Sequence, residues 1–196
     1  PNAAMHVSDR YSDVTAKRII AVGRLDYQKG FDRLIRAWEI VQRNSYFADW
    51  RLDIFGQGEW QEMLQQMIDE RNLQGTMRIN RPTNSIGCEY AKSSLIVMTS
   101  NYEGFGMVLV EAMACGVPAV AFDCKCGPKD IIKDCENGLL VRNGDIQALA
   151  DAMMKVMVDQ EYRKRLSKNA LNVVSTYSEK TVMNKWISMF TSLTER

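Results

Sequence analysis

Six short apolar runs, "RIIAVG", "RLDIFG", "MRIN", "LIVMTS", "PAVAF" and "GLLV", punctuate the chain at helix-length intervals. Their apolar residues are mostly consecutive, whereas a strand with one wet face alternates apolar and polar positions. Strands of that kind must be covered on both faces, and the segments between them supply the cover. "FDRLIRAWEIVQRN" and "EWQEMLQQMIDERN" carry apolar residues at the three-to-four spacing of a helix, and shorter helical stretches follow in "IGCEYAKS", "GMVLVEAMACG" and "PKDIIKD". The βαβα order predicts an α/β fold, a Rossmann-like doubly wound parallel sheet. Helical patterns fill "DIQALADAMMKVMVDQEYRKRLSKNALNVVSTY" and "SEKTVMNKWISMFTSL", with Asp145 and Ser178 as the expected N-caps.

Composition narrows the function classes. The 196 residues are 46% hydrophobic and 25% charged, with a formal net charge of +1, which describes one globular core of good size. Nucleic-acid and membrane surfaces call for a basic excess that is absent here, so any anion site must be local. No apolar run approaches the roughly 20 residues of a membrane span, and "PNAAMHVSDR" lacks the regions of a signal peptide, so a cytoplasmic chain is expected. The five cysteines are odd in number and form no C-x-x-C pair, so neither a disulfide framework nor a metal site is expected. The only histidine, His6, is expected in an exposed linker, away from any catalysis.

In a doubly wound sheet, ligands bind beyond the carboxyl ends of the strands. "GRLDYQKGF" follows the first strand; Gly23 and Gly30 permit tight backbone there, and Arg24 and Lys29 bring two cations to one strand end. That pattern suits a diphosphate. "GQGEWQ" follows the second strand and resembles a dinucleotide fingerprint, but Gln61 stands where the last glycine is needed. A tight turn accounts for Gly56 and Gly58. "EGFGMVLVEA" puts Gly104 and Gly106 at a helix start, where amides and dipole favour an anion. Glu111 is expected near the middle of that helix, about two turns on, where a carboxylate is costly unless something hydrogen-bonds to it.

Three motifs, "VGRLDYQKGFDRLIRA", "SNYEGFGMVLVEAMACGVPAVAF" and "CGPKDIIKDCENGLLV", resemble the carboxyl-terminal domain of the retaining glycosyltransferases of group 1, or family four. The resemblance runs from about Lys17 onward. It implies the GT-B fold, whose carboxyl-terminal half holds a nucleoside-diphosphate sugar, and Glu103 and Glu111 satisfy the family's signature of two glutamates separated by seven residues. It also implies site roles. Arg24 and Lys29 match the basic pair that neutralises the donor diphosphate, and Glu103 matches the glutamate that touches the donor sugar. The backbone at Phe105, Gly106 and Met107 matches the loop contacting phosphate and sugar, with Gly23 beside it. Glu111 matches the acceptor of ribose hydroxyls, and a carboxylate has lone pairs enough for a vicinal diol. The base is expected near Asn80, Arg81 and Pro82, although many members carry a glycine where this chain reads "RP". No metal and no separate cofactor are implied, because the two cations meet the leaving diphosphate.

Members of that family also carry an amino-terminal acceptor domain, which the resemblance leaves outside these residues. Residues 1–16 are then a linker remnant and residues 17–196 the donor-binding domain, ending in a helix that crosses back toward the absent half. Any peripheral membrane association is expected through that half. The function implied is transfer of a sugar to a glycan, lipid or similar acceptor, with the isolated chain inactive. A non-catalytic nucleotide-sugar binding module and a GT-B-type epimerase are the alternatives.

Overall fold

The computed structural model describes residues 11–194. His6 and the first ten residues of the expected linker lie outside them. Six strands, β1 (Arg18–Val22), β2 (Arg51–Phe55), β3 (Met77–Asn80), β4 (Leu95–Met98), β5 (Ala119–Asp123) and β6 (Gly138–Arg142), form one sheet in the order β3-β2-β1-β4-β5-β6. Every pairing is parallel, with Ile19 opposite Leu52 on one side and Leu95 on the other. The strand order reverses between β1 and β4, so the loops after these two strands open on the crevice of the sheet.

Neighbouring residues of one strand serve opposite layers. Ile19 and Ile20, both fully buried, belong to two separate core clusters, as do Val120 and Ala121. One layer packs α1 (Phe31–Gln42), α2 (Gln61–Glu70) and α6 (Ile146–Val158) against the sheet through Leu34, Trp38, Leu64, Leu149 and Met153. Trp38 satisfies its buried indole N–H on Thr76 Oγ1 at 3.1 Å. The other layer brings α3 (Ile86–Ala91), α4 (Met107–Ala114), α5 (Pro128–Ile131) and α8 (Val173–Tyr177) over Ile20, Ile96 and Met98. Ala119 and Ala121 face this second layer, where short side chains let α4 approach closely.

The long carboxyl-terminal helical stretch is broken at Asp159, which ends α6 and whose carboxylate caps α7 (Gln160–Ala170) by accepting from Tyr162 N at 2.8 Å. The expected caps form: Asp145 accepts from Ala148 N at 3.0 Å, and Ser178 from Thr181 N at 3.2 Å at the start of α9 (Glu179–Thr194). Arg163 is almost fully buried and closes the end of α6, donating to the Val156 and Met157 carbonyls, while its Nε donates to Val14 O at 2.7 Å. Residues preceding β1 are thus tied to the body, with Ser12 N also donating to Cys115 O at 2.7 Å. α9 packs chiefly on α8 and leaves Met183, Ile187 and Leu193 exposed, with Trp186 and Phe190 stacked at 5.8 Å. Among the described residues no helix is long and apolar enough to cross a membrane, and none of the five cysteines is in a disulfide.

Candidate functional site

The loop after β1 folds back on itself. Gly23 N continues the strand ladder by donating to Phe55 O at 3.0 Å, and Asp26 Oδ1 accepts from Lys29 N at 3.2 Å. Glycines permit close backbone approach here. A Cβ at Gly56 would lie 2.0 Å from Gly23 O and one at Gly58 2.4 Å from Leu25 O, so these two glycines serve loop packing. Gly30 sits at φ 60° as the N-cap of α1, with Thr99 O only 2.4 Å from where its Cβ would stand. The same Thr99 carbonyl accepts from Arg33, and Thr99 Oγ1 donates to Lys29 O at 3.1 Å.

Those contacts join the β1 loop to the β4 loop. Asn101 N donates to Gln28 O at 2.8 Å, and Gln28 Nε2 donates to Tyr102 O at 3.3 Å. The Lys29 stem lies across Gly23, where a Cβ would meet it at 3.0 Å. Its ammonium thereby reaches Glu103 Oε1 at 2.6 Å, and Ser100 Oγ donates to the same oxygen at 2.6 Å. Glu103 N donates to Lys125 O at 3.1 Å, which braces this loop from the one after β5. The Cys124 thiol, buried beside Glu103, is pushed up to about 11 by burial first and by the glutamate charge second, so it stays protonated.

Lys29, Glu103 and the run 104–108 line a cavity of about 540 Å³. Gly106, at φ 92°, turns the chain into α4, whose first residues, Met107 and Val108, line this space at the helix end where backbone amides lack intrahelical partners. Phe105 is among the lining residues, and its ring packs edge-on to Tyr177 at 5.3 Å. Met107 opens α4. Because the helix starts there, Glu111 is its fifth residue and stands about one turn in, not the two turns counted from Gly104. It is half-buried, and Tyr90 of α3 donates to its Oε2 at 3.4 Å. Burial raises its carboxyl above the ordinary glutamate value, with the Tyr90 hydroxyl partly offsetting the rise.

Other expected site residues are less closely engaged. Arg24 is exposed, its guanidinium held by Gln28 Oε1 at 3.0 Å and Asp26 Oδ2 at 3.2 Å. Arg81 and Pro82 are exposed on the loop after β3 and do not line the cavity, and the Asn80 amide is committed to Asp53 Oδ1 at 3.1 Å. A second concavity of about 580 Å³ lies along α2, where the lining glutamines are engaged with acids of the same helix, Gln65 with Asp69 at 3.0 Å and Gln66 with Glu70 at 2.7 Å. Sequence reasoning missed Ser100, Tyr90 and Asp26. The spacing "SNYE" carried the only signal for Ser100; Tyr90 and Asp26 become visible only once α3 meets α4 and the β1 loop closes.

The family model for glycosyl transferases group 1 matches residues 9–173. Similar proteins include the amylovoran biosynthesis glycosyltransferase AmsD of Erwinia amylovora, 36% identical over 91% of this chain and 50% of its own length. The poly(ribitol-phosphate) alpha-N-acetylglucosaminyltransferase of Staphylococcus aureus is 31% identical, over 91% of this chain and 36% of its own. The chain thus spans half or less of these curated relatives. Among solved structures, a variant of S. aureus TarM in complex with Fondaparinux, alpha-GlcNAc-glycerol and UDP superposes with a TM-score of 0.86 at 28% identity, covering 95% of this chain and 37% of that one. The carboxyl-terminal domain of a group 1 glycosyl transferase, LpcC of Francisella tularensis, superposes with a TM-score of 0.74 at 25% identity, covering 91% of this chain and 96% of that domain. The chain therefore belongs to the glycosyl transferases group 1 family, as a domain of its carboxyl-terminal type.

Proposed function

We propose that this chain is the donor-binding half of a retaining glycosyltransferase that moves a sugar from a nucleoside diphosphate to a glycan, lipid or similar acceptor. One observation carries the reading: a lysine and a glutamate from separate loops meet at 2.6 Å on the wall of a cavity that also opens onto the start of α4. A nucleoside-diphosphate sugar offers matching groups, two phosphates for the cations and amides and sugar hydroxyls for the carboxylate. The UDP complex of the TarM variant supports a uridine nucleotide as the first candidate.

In this reading Lys29 and Arg24 stabilise the departing diphosphate, with the α4 amides adding dipoles aimed at the same charge. The site's own cations suffice, and the reading asks no metal of it. Glu103 holds the sugar through its hydroxyls, and Glu111 accepts from the ribose diol. The reacting carbon develops oxocarbenium character, and attack from the face the diphosphate leaves preserves its configuration. The acceptor comes from a second domain that closes the cleft, consistent with relatives of which this chain spans half or less. Calorimetric titration of UDP into the chain tests the reading. Saturable binding that weakens in Lys29→Ala is expected; no binding to UDP, GDP or ADP overturns it.

A further inference from the structure

We propose that Ser100 is a positioning residue for Glu103, holding its carboxylate in place while Lys29 turns toward the ligand. This rests on the donor-binding reading above. Ser100 follows β4 and is 1% exposed, and its hydroxyl shares Glu103 Oε1 with Lys29 Nζ, each at 2.6 Å. The two donors differ in commitment. Lys29 reaches across from the β1 loop on a long stem and carries three N–H donors, so an anion in the cavity competes with Glu103 for it. Ser100 does not line the cavity and has almost no water to turn to, and it sits three residues before the group it holds.

Glu103 itself is nearly buried, its side chain 6% exposed, so losing Lys29 to a diphosphate would, without a second donor, leave a desolvated carboxylate with no fixed partner. The serine hydroxyl prevents that. Both contacts fall on Oε1 and leave Oε2 outside them, which sets that second oxygen for a sugar hydroxyl. The main chain at Glu103 is clamped separately by its N–H to Lys125 O at 3.1 Å. Ser100 therefore governs the carboxylate's orientation without being required for the path of the loop.

Titration of UDP and of UDP-N-acetylglucosamine, with thermal melts alongside, tests the assignment. Ser100→Ala is expected to bind UDP as the natural chain does, while the added affinity contributed by the sugar falls about tenfold, the size of a lost hydrogen bond to a charged group. Ser100→Thr, which keeps the hydroxyl, retains the sugar-dependent gain. In melts Ser100→Ala lowers Tm in the natural background and has no effect in Glu103→Ala. Equal losses for both ligands, or equal Tm losses in both backgrounds, overturn the assignment. A natural chain that binds none of UDP, GDP and ADP overturns the donor reading instead, and the melts then decide the Ser100–Glu103 pairing without ligand.

Discussion

Lys29 Nζ and Glu103 Oε1 lie 2.6 Å apart, their side chains 15% and 6% exposed, so the loops after β1 and β4 are joined by an ion pair largely withdrawn from water. Removing the lysine leaves the buried carboxylate with the Ser100 hydroxyl but no cation among the described residues. Lys29→Ala is expected to lose about 1–3 kcal/mol of stability, the cost of an unsatisfied buried group. Lys29→Ala combined with Glu103→Gln recovers most of it, because a neutral amide is cheaper to leave unpaired. Urea unfolding of the three proteins measures this, and additive losses would show that the pair does not couple.

Arg24 behaves differently because its side chain is 70% exposed and its ion pair with Asp26 is open to water. Arg24→Ala should leave stability within about 0.5 kcal/mol, as surface substitutions do. UDP affinity should still fall, by about 1.5–3 kcal/mol if the guanidinium meets phosphate. Calorimetry and melting on one preparation separate the two effects.

Two glycines of the site give opposite expectations. A Cβ at Gly23 meets the Lys29 stem at 3.0 Å, whereas one at Gly104 meets nothing within 4 Å. Gly23→Ala should displace the lysine and weaken UDP binding. Gly104→Ala should melt like the natural chain. The reverse pattern would mean that Lys29 is not the group the ligand reads.

Glu111 links pH to binding. Burial raises its carboxyl above 4.5. Only the ionised form accepts two hydroxyls fully, so UDP affinity should rise with pH through that elevated value, and Glu111→Gln should flatten the profile. The stability sign is opposite: a raised carboxyl pKa favours the fold most when protonated, and this contribution is lost as pH rises through the folded value. Glu111→Gln should therefore bind UDP more weakly at neutral pH yet melt higher. Calorimetry across pH 4 to 7 with parallel melts checks both signs.

The chain alone should show no glycosyl transfer in a radiolabelled-donor assay, and activity should appear once the flanking sequence of the natural gene is restored. Near-attack geometry and exclusion of water both need a second wall to the cleft. Efficient transfer by these 196 residues would overturn the two-domain reading.

The strands were legible because burial on both faces selects apolar residues at consecutive positions, and Ile19 and Ile20 entering separate core layers is that rule in coordinates. The Asp145 and Ser178 caps were legible because capping is local chemistry, spanning three residues. The start of α4 was harder to read. Two glycines compete for its N-terminus in "EGFG", and the positive φ at Gly106 shows which one ends the turn. The break at Asp159 was hidden for a related reason, since apolar spacing continues across it while the carboxylate turns to cap the next helix.

By itself the sequence determined the sheet, its layers and which loops carry charge, since these follow from burial and short-range hydrogen bonding. Only tertiary structure decided how the charges are used. Lys29 and Glu103 are 74 residues apart, and nothing in either neighbourhood states that they meet on one oxygen. The encounter depends on parallel β1 and β4 lying side by side, on Gly23 leaving space for a lysine stem and on Ser100 being sealed from water. Arg24, six residues after Arg18 and adjoining the same strand, stays in solvent, its side chain 70% exposed and paired only locally with Asp26 and Gln28 among the described residues. Burial and distance, which set the strength of an ionic contact, are properties of the packed chain rather than of any segment of it.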